Sequence, residues 1–181
     1  MAMSSTGLSQ PEITTARLRL RRLRPSDAAL IGLYASDVHV ARMTAQIPHP
    51  YPPGLAEAYV ERVLAPGARD MVWALDLGAD GENGLIGLVT LRDGEDAEIG
   101  YWVAPAFWGT GYASEAVEAV VADAARRGLR SLHAQVFQDN LASAKVLTRA
   151  GFTYEGDGEV HSVARGAMVP SFRYRRDLQP L

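Results

Sequence analysis

The chain reads as a single α+β domain, with a mixed, mostly antiparallel sheet of about seven strands flanked by helices. Three observations predict it. Strand alternation and helical periodicity succeed one another as a strand, helices, three strands, a helix, a strand, a helix and two strands. The three middle strands are separated by short turns rich in Gly, Asp and Asn, which suits an antiparallel meander. The 181 residues, 48% of them hydrophobic, suffice for one sizeable core, and no internal repeat or convincing linker divides them.

Each element has a local reason. Residues 1–12 carry Ser4, Ser5, Thr6, Gly7, Ser9 and Pro11 without an apolar run, so a disordered tail is expected there, not a signal peptide. The folded domain is expected over 13–181. Leu18 and Leu20 alternate with arginines as a half-buried strand does, and Arg17, Arg19, Arg21, Arg22 and Arg24 read as a solvated strand face. Arg24-Pro25-Ser26-Asp27 punctuates the chain and caps a helix over about 27–36, and Asp37 is placed to cap a short helix through Met43. Four prolines between Ile47 and Gly54 exclude regular structure, because each removes a donor and fixes φ. A helix over about 55–65 follows.

Strands are expected at Met71–Leu77, Leu85–Leu91 and Ala97–Val103, with turns at 78–84 and 93–96. From Tyr112 to Arg127, Ala113, Ala116, Val117, Val120, Val121 and Ala124 form one apolar helical stripe, and Gly128 suits the position after the helix. Leu132, Ala134 and Val136 alternate as a strand. Asp139-Asn140 opens a helix ending near Ala150-Gly151. The last strands are Phe152–Glu155, extendable to His161, and Met168–Leu178.

Composition narrows the function. There is no cysteine, so disulfides, thiolate zinc sites and a cysteine nucleophile are excluded, and a reducing cytoplasm is consistent with that. A net charge of −3 argues against a broad nucleic-acid footprint. No stretch approaches the roughly 20 apolar residues of a membrane span. No histidines and carboxylates show metal-ligand spacing.

The most informative segment is Phe107-Trp108-Gly109-Thr110-Gly111-Tyr112-Ala113-Ser114-Glu115-Ala116. A glycine turn entering a helix leaves backbone N–H groups without intrahelical partners, and the helix dipole adds positive charge there. The turn is therefore an anion site, or else a plain strand-to-helix connection. A P-loop would need Gly-Lys-Ser/Thr where Gly111-Tyr112-Ala113 stands, and a dinucleotide fingerprint would need glycine where Ser114 stands.

Neighbouring segments favour a specific anion. Glu98-Ile99-Gly100-Tyr101-Trp102-Val103 precedes the turn; Asp139-Asn140-Leu141-Ala142-Ser143-Ala144-Lys145 and Ala150-Gly151-Phe152 follow it. With these the chain resembles the GNAT superfamily of N-acetyltransferases over roughly residues 14–178. Within it, it resembles the branch of ribosomal-protein-alanine N-acetyltransferases (RimJ/RimL-like). The family's loop pattern is Arg/Gln-x-x-Gly-x-Gly/Ala; Trp108 takes the first place, Gly111 the central one and Ala113 the last. Trp108 departs from the superfamily pattern by removing a side-chain donor.

The resemblance implies a GNAT-like domain with splayed central strands and acetyl-coenzyme A as acetyl donor. Its pyrophosphate would lie over Trp108, Gly109, Thr110, Gly111, Tyr112, Ala113 and Ser114. The strand Tyr101, Trp102 and Val103 would carry a bulge and bind the pantetheine arm through free backbone groups. Asn140 would contact the pantetheine, cap its helix, or both. Ser143 would lie near the sulfur and protonate the leaving thiolate. Glu98 is the first candidate for general base, Tyr154 a weaker one; His49 and His161 read as loop histidines. His49, Tyr51, Glu98 and Tyr154 are the expected acceptor-site residues. The acceptor is a primary amine, either a protein N-terminus or a small molecule, with its pocket shaped by loops at 43–55, 78–84 and 156–170. No metal, nucleic acid or membrane partner is expected, and the resemblance admits a homodimer. A non-catalytic acyl-coenzyme A sensor is the alternative.

Overall fold

The structure, a computed structural model, describes residues 10–77, 84–92 and 97–178. Its strands are β1 (Ile13–Thr14), β2 (Leu18–Arg22), β3 (Met71–Leu77), β4 (Leu85–Arg92), β5 (Glu98–Val103), β6 (Ser131–Phe137), β7 (Thr153–Ser162) and β8 (Ala167–Asp177). Its helices are α1 (Ala28–Ala35), α2 (Val38–Arg42), α3 (Leu55–Leu64), α4 (Tyr112–Arg126) and α5 (Leu141–Arg149). The strands form one sheet in the order β1-β2-β3-β4-β5-β6-β8-β7. Every pairing is antiparallel except β5–β6, whose parallel strands are joined through α4, as a parallel connection requires.

That parallel pair matters most. Its pairing reduces to one register position, Glu98 opposite His133, with the His133 N–H donating to the Ala97 carbonyl at 2.8 Å. Beyond it toward Val103, β5 and β6 diverge. The expected splay is therefore present. The expected bulge is not: β4 and β5 pair without a register shift from Glu98 to Val103.

Each face of the sheet carries a core. On one face, Ala116, Val117, Val120, Val121 and Ala124 of α4 pack with Ile99, Leu132, Ala134 and Val136. Fully burying each such valine contributes roughly 1.5–3 kcal/mol, which is why the stripe read from the sequence selects this face. On the other face, Ala28, Ile31, Ala56 and Val60 of α1 and α3 cover Val72, Ala74, Leu85 and Leu88.

Several expectations are corrected. The eighth strand, β1, spans two residues, too few to show alternation. Residues 10–12, assigned above to a tail, are tied to β3: Gln10 Nε2 donates to the Val72 carbonyl and Trp73 Nε1 to that of Pro11, both at 2.8 Å. Residues 1–9 and the turns 78–83 and 93–96 lie outside the described residues. The 156–170 segment is not a loop: β7 and β8 occupy it except for a turn over 163–166. Arg21 is not on a solvated face but 4% exposed, bonded to Asp27 and Asp76.

Candidate active site

The glycine turn is held by bonds that consume its carbonyls. Trp108 Nε1 donates to the Val103 carbonyl at 2.6 Å, Thr110 Oγ1 to that of Phe107 at 2.6 Å, and Arg17 Nη1 to that of Thr110 at 2.8 Å. Gly109 and Gly111 lie at φ 73° and 84°, the left-handed region that glycine enters without strain. Gly111 is the N-cap of α4 and offers no side chain, so the N–H groups of Tyr112, Ala113 and Ser114 face outward without an intrahelical acceptor. The turn is thus rich in donors, with the Phe107 and Thr110 carbonyls tied back.

Arg17 joins this turn from the far end of the sequence, and local patterning gave no sign of it. Its Nε donates to Glu115 Oε2 at 2.7 Å and its guanidinium lies 4.6 Å from the Tyr112 ring centroid. Glu115 also accepts from Thr15 Oγ1 at 2.6 Å and the Arg17 N–H at 2.8 Å. Burial pushes the Glu115 carboxyl up, and the bonds from Thr15 and Arg17 overcome it, leaving its pKa below the ordinary value.

Backbone phase decides which parts of β5 face the opening. Antiparallel bonds alternate along a strand. The Ala104 N–H donates to the Ile86 carbonyl at 2.8 Å, which sets Gly100 and Trp102 to bond β4. The backbone groups of Ile99, Tyr101 and Val103 then face the gap. Trp102, expected to contribute there, turns its backbone to β4, and its side chain packs with the α1–α3 core. The Val103 carbonyl is taken by Trp108. Ile99 is the residue missed.

Tyr101 and Ser143 meet across the gap. The Tyr101 hydroxyl lies 2.7 Å from Ser143 Oγ and 3.1 Å from the Ser143 carbonyl. Burial pushes the Tyr101 phenol well above its ordinary pKa, against the lowering effect of the Ser143 bond. It therefore stays protonated and able to donate. Asn140 serves as the N-cap of α5, its Oδ1 accepting the Ser143 N–H at 3.2 Å.

The other candidates divide between the two faces. Register places Glu98, Gly100 and Trp102 with Thr90 and Arg92 on the α1–α3 face. His133 lies beside Glu98 on that face, a titratable neighbour that the sequence reading missed. Glu98 Oε1 is 3.3 Å from Arg92 Nη1. Tyr154 pairs with Tyr174, whose ring belongs to the α4–α5 core, so it lies on the face opposite Glu98. Its hydroxyl donates to Asp157 at 2.9 Å, which raises its pKa; it is poorly placed for the base role suggested for it. Tyr51 is half-buried against the α1–α3 core, its phenol pushed up by burial and then by the charges of Tyr59 and Glu57. His49 and His161 are exposed. Arg165 in the β7–β8 turn binds both Asp139 oxygens, at 2.8 and 3.1 Å, and the Arg42 carbonyl, tying α2 to the start of α5. Among the described residues no group of histidines and carboxylates is arranged to hold a metal ion. No helix there is long and apolar enough to cross a membrane.

This arrangement, an N–H-rich turn leading to an opened parallel strand pair, defines a class. Residues 17–153 match the acetyltransferase (GNAT) domain family, and the chain belongs to it. It is similar to the uncharacterized N-acetyltransferase YoaA of Bacillus subtilis (strain 168), with 30% identity covering 81% of this chain and 85% of that one. The fold is shared with RimL, the ribosomal L7/L12 alpha-N-protein acetyltransferase, in complex with coenzyme A. That likeness has a TM-score of 0.80 and 21% identity, covering 93% of this chain and 98% of that one. It is also shared with the microcin C7 self-immunity acetyltransferase MccE in complex with acetyl-CoA and AMP. There the TM-score is 0.78 and the identity 17%, covering 91% and 94%.

Proposed function

We propose that the protein transfers the acetyl group of acetyl-coenzyme A to a primary amine by direct attack in a ternary complex. One observation carries the reading: the donor-rich turn at 109–114 stands at the mouth of the gap between β5 and β6. The pyrophosphate accepts from Tyr112, Ala113 and Ser114, and the pantetheine follows the backbone edge of Ile99 and Tyr101. The coenzyme A and acetyl-CoA complexes of the similar folds support this. The thioester carbonyl accepts a hydrogen bond from that edge. Oxyanion-type donors of this kind contribute about 3 kcal/mol to the transition state.

The neutral amine nitrogen attacks the carbonyl carbon. The C–N bond forms, the C–S bond breaks, and the electron pair leaves on sulfur. Ser143, oriented by Tyr101 and by the Asn140 cap, gives its proton to the thiolate and regains one from solvent, into which the amine proton is finally released. Glu98 takes the amine proton through water, with Arg92 and His133 as its neighbours. With no cysteine in the chain, no acyl-cysteine intermediate forms.

The test follows free thiol from acetyl-CoA with a panel of amines and titrates coenzyme binding separately. Saturable binding without thiol release for any amine favours the sensor. Glu98→Gln is expected to lower kcat roughly 100-fold while leaving coenzyme Kd unchanged. Unchanged turnover near neutral pH removes Glu98 from the base role.

A further inference from the structure

A second feature lies on the α1–α3 face, where an amine would approach. A cavity of about 220 Å³ opens there; its lining includes Tyr59, Arg62, Arg69, Asp70, Thr90 and Arg92 beside apolar and neutral residues. Three arginines thus line it beside one aspartate, and one of the three, Arg92, is paired with Glu98. The cavity is joined to the reacting strand by register: Thr90 lies opposite Gly100, and Arg92 opposite Glu98. Arg92 also bonds Glu98 at 3.3 Å, so the lining reaches the proposed base directly. Gly100 is open on this face: a Cβ built there meets no atom of the described residues within 4 Å. Between the cavity and β5 there is therefore room for an acceptor chain. The Arg62 guanidinium lies 5.4 Å from the Tyr59 ring centroid, which holds the Arg62 side chain over the cavity's aromatic wall.

Resting on the acetyltransfer reading, we propose that this cavity binds the carboxylate of the acceptor, and that the substrate class is an amine bearing a carboxylate. Planar guanidinium groups bind carboxylates bidentately, and three around one cavity suit that geometry. A polycationic acceptor meets like charge in the same place, so polyamines are poor substrates. The carboxylate belongs either to a free amino acid or to an acidic residue near a peptide N-terminus. The site chemistry is shared, and the acceptors tested separate the two.

The experiment measures kcat/KM for thiol release from acetyl-CoA by the full chain with matched acceptors. These are alanine against alaninamide, a C-terminally amidated peptide beginning Ala-Asp-Glu against its amidated Ala-Asn-Gln counterpart, and spermidine. The carboxylate member of at least one pair is expected to be preferred roughly tenfold or more, as loss of a charge-assisted bond implies. Preference in the first pair identifies amino acids; preference in the second alone identifies acidic peptides. In the double variant Arg62→Gln/Arg69→Gln that preference is expected to fall to near unity. Equal use of both members in both pairs, a preference for spermidine, or a preference that survives the double variant overturns the proposal and leaves the acetyltransfer reading standing. Bound coenzyme with no release by any acceptor overturns both.

Discussion

Arg17 and Arg21 leave the same N-terminal segment four residues apart and reach opposite environments. Arg21 is 4% exposed and engages both oxygens of Asp27 and both of Asp76, at 2.6 to 3.0 Å. Those bonds, Asp27's first, hold its guanidinium pKa above the ordinary value. The Arg17 side chain is 46% exposed and ties Glu115 and Thr110 at the mouth of the glycine turn. The chemistry is the same guanidinium–carboxylate pair, but solvent decides what it does. Desolvated charges must stay paired, so the Arg21 cluster bears on folding. Exposed pairs contribute little to stability, so the value of Arg17 lies in shaping the turn.

Substitutions separate the two regions. Arg21→Ala strands two buried carboxylates and is expected to cost about 3–5 kcal/mol in denaturant unfolding. Coenzyme affinity of the protein that remains folded should not change. Gly111→Ala comes next: a Cβ in the left-handed region costs roughly 1–2 kcal/mol, and it would meet Arg17 Nη2 at 3.3 Å. Its acetyl-CoA affinity, read by calorimetric titration, is expected to fall about tenfold or more as the donors of the turn move. Retained affinity with lost stability would detach the turn from the coenzyme. Arg17→Gln should change stability by less than about 1 kcal/mol and weaken acetyl-CoA a few-fold, reversing the ranking seen at Arg21.

The smallest effect is a pH dependence. The folded pKa of Glu115 lies below its ordinary value. Its contribution is therefore complete above the unfolded-state value and is lost as pH falls through the folded one. The difference in thermal midpoint between the parent and Glu115→Gln should be constant from neutral pH down to the ordinary carboxylate range and should vanish below it. A difference that grows in acid would contradict the assignment.

Legibility in the sequence followed the range of the forces involved. The α4 stripe, the meander and the glycine turn are local patterns, and each was read within a residue or two of its position. β7 was harder: it does alternate, but its less exposed positions are Gly156, Gly158, Val160 and Ser162, which carry little apolar signal, because at the sheet edge pairing with β8 defines it. The site was legible where backbone carries it. It was illegible where residues distant in sequence meet, as Tyr101 does with Ser143, Arg17 with Glu115 and Arg165 with Asp139. Alternating arginines say that a strand has two faces; they do not say which face another element covers. Phase mattered equally, since Ile99 and Tyr101 face the gap while Trp102 does not.

Hydrogen exchange of the full chain, with and without saturating acetyl-CoA, tests the central claim most directly. The expected result is slowed exchange at the Tyr112, Ala113 and Ser114 amides and at Ile99 and Tyr101, with no change around Arg21, Asp27 and Asp76. Coenzyme binding measured by titration, with exchange at residues 109–114 unaltered, would contradict it.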